Sequence, residues 1–80
     1  MLPQFGRDEM DRITDWLRIE FHLQLVCFEE RTAHGLVFHG VCHGENVMLL
    51  VPASQKVWLR DVMNREWTPT GVRVPDHIMP

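Results

Sequence analysis

Eighty residues, 45% of them apolar and 24% charged, have the profile of one globular domain rather than a disordered tail. A net charge of −3, with eight Lys and Arg against eleven Asp and Glu, argues against a dedicated binder of phosphate backbones, and the imbalance is local. Residues 1–30 carry seven acids and three arginines, a balance of −4, whereas residues 31–80 carry five basic side chains against four acids, a balance of +1. No apolar run approaches the roughly 18 residues of a membrane span, and MLPQFGRDEMDR lacks the apolar core of a signal peptide, so a cytoplasmic protein is expected.

Residues 1–6, with Pro3 and Gly6, read as an extended lead-in. Asp8 then reads as a helix N-cap, with Glu9 and Asp11 in the first turn where they complement the helix dipole. Met10, Ile13 and Leu17 fall on one helical face with Trp16 at its margin, while Arg12, Asp15 and Arg18 fall elsewhere. Such a helix covers the open end of a sheet more readily than it docks into a partner. From Phe21 the period changes to two: Phe21, Leu23, Leu25 and Cys27 alternate with His22, Gln24, Val26 and Phe28. Glu29 to Thr32 reads as a charged turn. Gly35 to Val51 reads as a β-hairpin reversing at Gly44-Glu45-Asn46, and both faces of its first arm are largely apolar, as in a bent strand of a closed barrel. Gly35 and Gly40 permit the bend, and Pro52 ends the second arm.

Residues 54–66 allow two readings. As a helix, Ser54 caps a stripe of Trp58, Leu59, Val62 and Met63, and periodicity by itself leans this way. As a strand, Val57 and Leu59 face inward and Trp58 and Arg60 outward, with Arg60-Asp61 kinking toward a last strand through Trp67. Residues 68–80, with three prolines and Gly71, read as an irregular tail in which Val72-Arg73-Val74 can pair at a sheet edge. The expected fold is a single domain over residues 1–80, α+β but mainly β, with an N-terminal helix and a small antiparallel barrel. The alternative is α-β-β-β-α with residues 54–66 helical.

Chemistry-bearing residues are few. His39, Cys42 and His43, with Cys27 and His34 near them, are the types zinc prefers, but Cys42 and His43 face opposite sides of a strand and no CxxC or helical HxxxH occurs. In a reducing compartment Cys27 and Cys42 are expected as small buried hydrophobes. A Cys42/His39 or Cys42/His43 nucleophile lacks an orienting third group and an oxyanion loop. Glu29-Glu30 and the Asp8, Asp11, Asp15 flank read as solvated surface without a base partner, and no phosphate-binding glycine loop is present. Neither an enzyme nor a cofactor is expected. Trp16, Trp58 and Trp67 are core residues or interface anchors, and Trp58 beside Arg60 forms a stacking-and-charge patch if the segment is a strand.

The run LQLVCFEERTAHG after a helix, then NVMLL and SQKVWLRDV, resembles the Sm-like small barrels, of the kind of the bacterial RNA chaperone Hfq, over about Asp8 to Trp67. At the rim where those chaperones carry an aromatic-Lys-His run, Trp58-Leu59-Arg60 stands here. The acidic helix with VWLRDVMNREWTPTG is also similar to the Rho-binding antiterminators, Sm-like proteins that inhibit the termination factor Rho. The resemblance implies an Sm/SH3-like barrel and an acidic protein that competes with RNA for a basic target. The function expected is therefore a non-enzymatic regulatory binding module, acting on an RNA- or DNA-binding protein as an inhibitor or antiterminator. Asp8, Asp11, Asp15, Glu29 and Glu30 would steer the encounter, and Trp58 and Arg60 would anchor it. The alternatives are an Sm-like RNA-binding homo-oligomer using Trp58, Arg60, Lys56 and His39, and a phage or mobile-element inhibitor.

Overall fold

A computed structural model describes residues 6–79. One helix, α1 (Arg7–Glu20), precedes five strands, β1 (Leu25–Thr32), β2 (Gly35–Cys42), β3 (Glu45–Val51), β4 (Lys56–Asp61) and β5 (Thr68–Arg73). The strands form one antiparallel meander in the order β1-β2-β3-β4-β5, so the protein is α+β and mainly β. No helix is long and apolar enough to cross a membrane. Of the expected lead-in, residues 1–5 lie outside the described residues.

The helix begins earlier than expected. Gly6, not Asp8, is the N-cap, and it makes no side-chain cap bond; Asp8 and Glu9 occupy the first turn, where they complement the exposed backbone N–H groups. At the other end the helix stops because His22 adopts φ 53°, letting the Leu23 N–H reach back to the Arg18 carbonyl at 2.9 Å. The expected strand from Phe21 therefore starts only at Leu25, after a left-handed cap that periodicity does not reveal. Ile13 and Leu17 are fully buried, and Trp16, half-buried beside them, meets Phe21 edge-on at 6.4 Å.

Glu29 to Thr32, expected as a turn, is instead the second half of β1. The reversal is Ala33-His34, where the Thr32 hydroxyl accepts the N–H groups of His34 and Gly35. Within β1 the register slips once: Phe28 faces Phe38 but Glu30 faces Val37, leaving Glu29 as the extra residue of a bulge. The hairpin of β2 and β3 forms as expected in its strands. Its turn is tighter than Gly44-Glu45-Asn46, since Cys42 already pairs with Glu45 and only His43 and Gly44 intervene. Both have positive φ, 51° and 80°, as a two-residue turn matched to strand twist requires.

The helical reading of residues 54–66 is overturned. Lys56–Asp61 is β4, paired to β3 through Leu49↔Leu59 and Leu50↔Trp58. The ladder bonds and burial of Val57 outweigh the weak helical stripe, whose Val62 and Met63 stay exposed. Nor is the segment after Trp67 wholly irregular. Thr68–Arg73 is β5, and beyond it Val74 and Met79 are buried in the core. The tail is tied down by Gln55: its main chain accepts the Val74 N–H at 2.8 Å, and its side-chain amide donates to the Val74 carbonyl at 2.7 Å and to Asp76 at 3.1 Å.

The core lies on one face of the sheet. Val26, Leu36, Phe38, Leu49, Val51 and Val57 point there and meet Ile13 and Leu17 of the helix, with Val74 and Met79 completing the cluster. Alternation then sends Cys27, Val37, His39, Met48, Leu50, Trp58 and Arg60 to the opposite, outer face.

Candidate functional site

The outer face is not a polar solvent surface. Val37 and Leu50 are cross-strand partners there, and only 7% and 8% of their surfaces are exposed although they belong to no part of the helix-covered core. Both line a groove on this face. A depression of about 410 Å³ is lined by His34, Leu50, Pro52, Trp58 and Trp67. A second, of about 200 Å³, shares His34, Leu50 and Trp67 and adds Glu30, Val37, Met48 and Arg60. Trp58 reaches the groove because its strand neighbour Val57 points into the core.

Trp67 gets there by a different route. The connection between β4 and β5 is wound up by its own polar groups: Asp61 accepts the Met63 N–H at 3.2 Å, and Asn64 accepts the Glu66 N–H at 3.0 Å. From the sheet, the Arg60 guanidinium donates to the carbonyls of Asp61, Val62 and Asn64 at 3.2–3.3 Å. The same guanidinium lies 4.9 Å from the centre of the Trp67 ring, a cation–π distance. Arg60, expected to touch a partner, is thus committed to holding the loop that carries Trp67.

The acidic residues divide into two groups. Asp8, Asp11 and Asp15 are exposed on the helix, where Asp15 makes an exposed pair with Arg18 at 3.9 Å, a contact of little energetic weight. Glu29 and Glu30 are on the outer face of β1. The bulge delivers both to that side, because the extra residue interrupts the alternation that would otherwise turn one of them inward. Glu30 consequently borders the groove containing Trp67 and Arg60.

His39, Cys42 and His43, weighed in the sequence as zinc-type ligands and set aside because Cys42 and His43 face opposite ways, are not brought together. Cys42 is half-buried against the core, and His43 is exposed in the hairpin turn. Cys27, expected to be buried, is exposed and sits directly across the ladder from His39. Its Sγ is 4.0 Å from His39 Nδ1 and 3.9 Å from Glu29 Oε1, and the Glu29 oxygen is 3.9 Å from the same Nδ1. On its far side His39 Nε2 lies 2.8 Å from Asn46 Oδ1. Among the described residues this is the one group of three or more His, Cys, Asp or Glu side chains with donor atoms close enough for a common ion.

Sequence reasoning reached Trp58 and Glu30 but missed that Leu50, His34 and Trp67 join them. The outward position of Leu50 followed from alternation once β3 was placed; that of Trp67 depended on a loop with no periodicity. Comparison of the chain with protein-family models, with curated proteins and with solved structures found no match.

Proposed function

We propose that this protein is a non-enzymatic regulatory binding module of the Sm-like or SH3-like small-barrel type, which receives an apolar side chain of a basic protein partner between Trp58 and Trp67. The observation that carries this reading is the pair of half-buried tryptophans around a 410 Å³ apolar depression on the uncovered face of the sheet. Tryptophans in such a setting are the residues that most often dominate an interface, because their large surfaces are desolvated at low entropic cost. The charge complement makes the partner basic: Glu30 borders the groove, Glu29 is beside it, and residues 1–30 carry −4 with Asp8, Asp11 and Asp15 exposed. An inhibitor or antiterminator acting on an RNA- or DNA-binding protein, encoded by a host or a phage and working in the cytoplasm, fits these properties. The free thiols of Cys27 and Cys42 suit a reducing compartment.

Recognition of single-stranded RNA on the same face is the competing use. Two tryptophans offer stacking surfaces, with Lys56 and Arg73 beside Trp58 in a neighbouring depression. Arg60 contributes little to it, since its guanidinium already serves the loop carbonyls.

The test compares Trp58→Ala and a triple charge reversal at Asp11, Asp15 and Glu30 with the wild type. Basic proteins captured from a cell extract are purified and each affinity is measured at graded salt. The expected result is a partner whose binding weakens with salt, falls at least tenfold with Trp58→Ala (about 1.4 kcal/mol or more) and slows in association after charge reversal. A short single-stranded RNA is titrated in parallel while tryptophan emission is followed. Quenching at moderate salt, together with a ring-shaped oligomer in sedimentation, would replace the protein-partner reading with the RNA reading.

A further inference from the structure

We propose that Cys27, Glu29 and His39 form a surface site for a divalent transition-metal ion, zinc in the first instance, independent of the tryptophan groove. The thiol, carboxylate and imidazole are three different donor types, all of which zinc accepts. Their donor atoms form a nearly equilateral triangle with edges of 3.9, 3.9 and 4.0 Å. The centre of such a triangle is about 2.3 Å from each corner, the length of a zinc–thiolate bond and a few tenths of an ångström over zinc–imidazole and zinc–carboxylate bonds. A small inward rotation of the exposed Cys27 and Glu29 side chains toward the half-buried His39 closes that gap.

The surroundings orient the triangle. An amide oxygen can only accept, so the 2.8 Å contact makes His39 Nε2–H the donor to Asn46 Oδ1. In the neutral form of the ring Nδ1 then carries the lone pair that faces Cys27 and Glu29, which is the arrangement of a metal-bound histidine whose other nitrogen is held by an outer partner. In this tautomer three acceptors meet around a single S–H proton, and a cation replacing that proton satisfies all three. The bulge at Glu29 is what assembles them. Counted from Thr32↔Gly35, a regular ladder would place Cys27 opposite Gly40 on the core face; the single slip sets it opposite His39 on the outer face and puts Glu29 beside it. Three protein donors on an open surface leave a fourth position for water or for a side chain of another molecule.

The test is titration of the full-length protein, reduced and freed of metal, with zinc against a chromophoric chelator and with cobalt(II) followed by absorption. One ion per chain and a thiolate-to-cobalt charge-transfer band in the near ultraviolet are expected. Cys27→Ser and His39→Ala should each lower affinity at least tenfold and Cys27→Ser should abolish the band. Asn46→Ala should weaken binding about tenfold while leaving the band in place. Cys42→Ser should change nothing. Thermal unfolding of each variant verifies that these surface substitutions leave the fold intact. Absence of stoichiometric binding, or binding that survives Cys27→Ser unaltered, overturns the proposal.

Discussion

The guanidinium of Arg60 lies 4.9 Å from the ring centre of Trp67, and the same group reaches the main-chain carbonyls of the loop that delivers that tryptophan. One strand residue thereby sets the position of one wall of the groove. Arg60→Ala should cost about 1–2 kcal/mol, combining a partly exposed cation–π contact with charge-assisted hydrogen bonds. Arg60→Lys should recover only part of it, since the three carbonyl bonds all come from one guanidinium nitrogen while the rest of the planar group lies over the Trp67 ring, and a compact ammonium cannot do both. Urea unfolding gives the stability, and hydrogen exchange should show protection lost selectively over residues 62–67. Unchanged exchange there would mean that the loop holds itself.

Gly35 touches backbone on the neighbouring strand so closely that an added Cβ would fall 2.5 Å from the Val51 carbonyl oxygen and 2.7 Å from the Pro52 Cα, at a φ of +148°. Neither neighbour is a side chain that can swing away. Gly35→Ala should lose more than about 3 kcal/mol, enough to unfold a large share of a domain with a thin stability margin. Gly44→Ala meets open space, so it should cost only about 1–2 kcal/mol, from its φ of +80°. Circular dichroism melts of the two variants, compared side by side, check the ordering.

Asp76 is held below the usual carboxylate range, first by the hydrogen bond from the Gln55 amide and then by the charge of Arg73, whose guanidinium donates to it at 3.1 Å. A folded-state pKa lowered in this way contributes stability that is present above the unfolded value of about 4 and is lost as pH falls through the folded value. Asp76→Asn should therefore flatten the acid limb of the stability curve below about pH 4 and leave its slope near neutrality unchanged. Because the carboxyl is exposed, the effect should also shrink with salt. An acid limb identical to that of the wild type would remove Asp76 as a contributor.

Phe38 is fully buried and meets Phe28 edge-on at 5.6 Å, whereas Met63 is 89% exposed at the tip of the loop. Phe38→Ala should cost about 3–5 kcal/mol and Met63→Ser less than about 0.5 kcal/mol. Chemical denaturation with both variants measures the contrast. A large loss at Met63 would show that the loop tip packs on something in solution.

Much of the local structure was legible. Met10, Ile13 and Leu17 marked the helix face, and the alternation of Leu36, Phe38, Gly40 and Cys42 with Val37, His39 and Val41 gave β2 and its two faces correctly. These signals are local, since burial on one side of an element repeats at the period of its backbone. The helix end at His22 was missed because a histidine there adopts the left-handed conformation that glycine usually signals. The assignment of residues 54–66 was ambiguous because short apolar runs fit either period, and only pairing with β3 and β5 selects the strand.

Composition and pattern by themselves thus determined a small mainly-β domain, an amphipathic helix at its start, the hairpin from Gly35 to Val51, and an acidic first third. The tertiary structure decided which side chains meet. The slip at Glu29 places Cys27 against His39, and the loop clamped by Arg60 carries Trp67 to Trp58. Register and loop closure are settled by the total of non-local ladder bonds and burial, so a one-residue change moves a side chain to the other face while the local pattern stays the same.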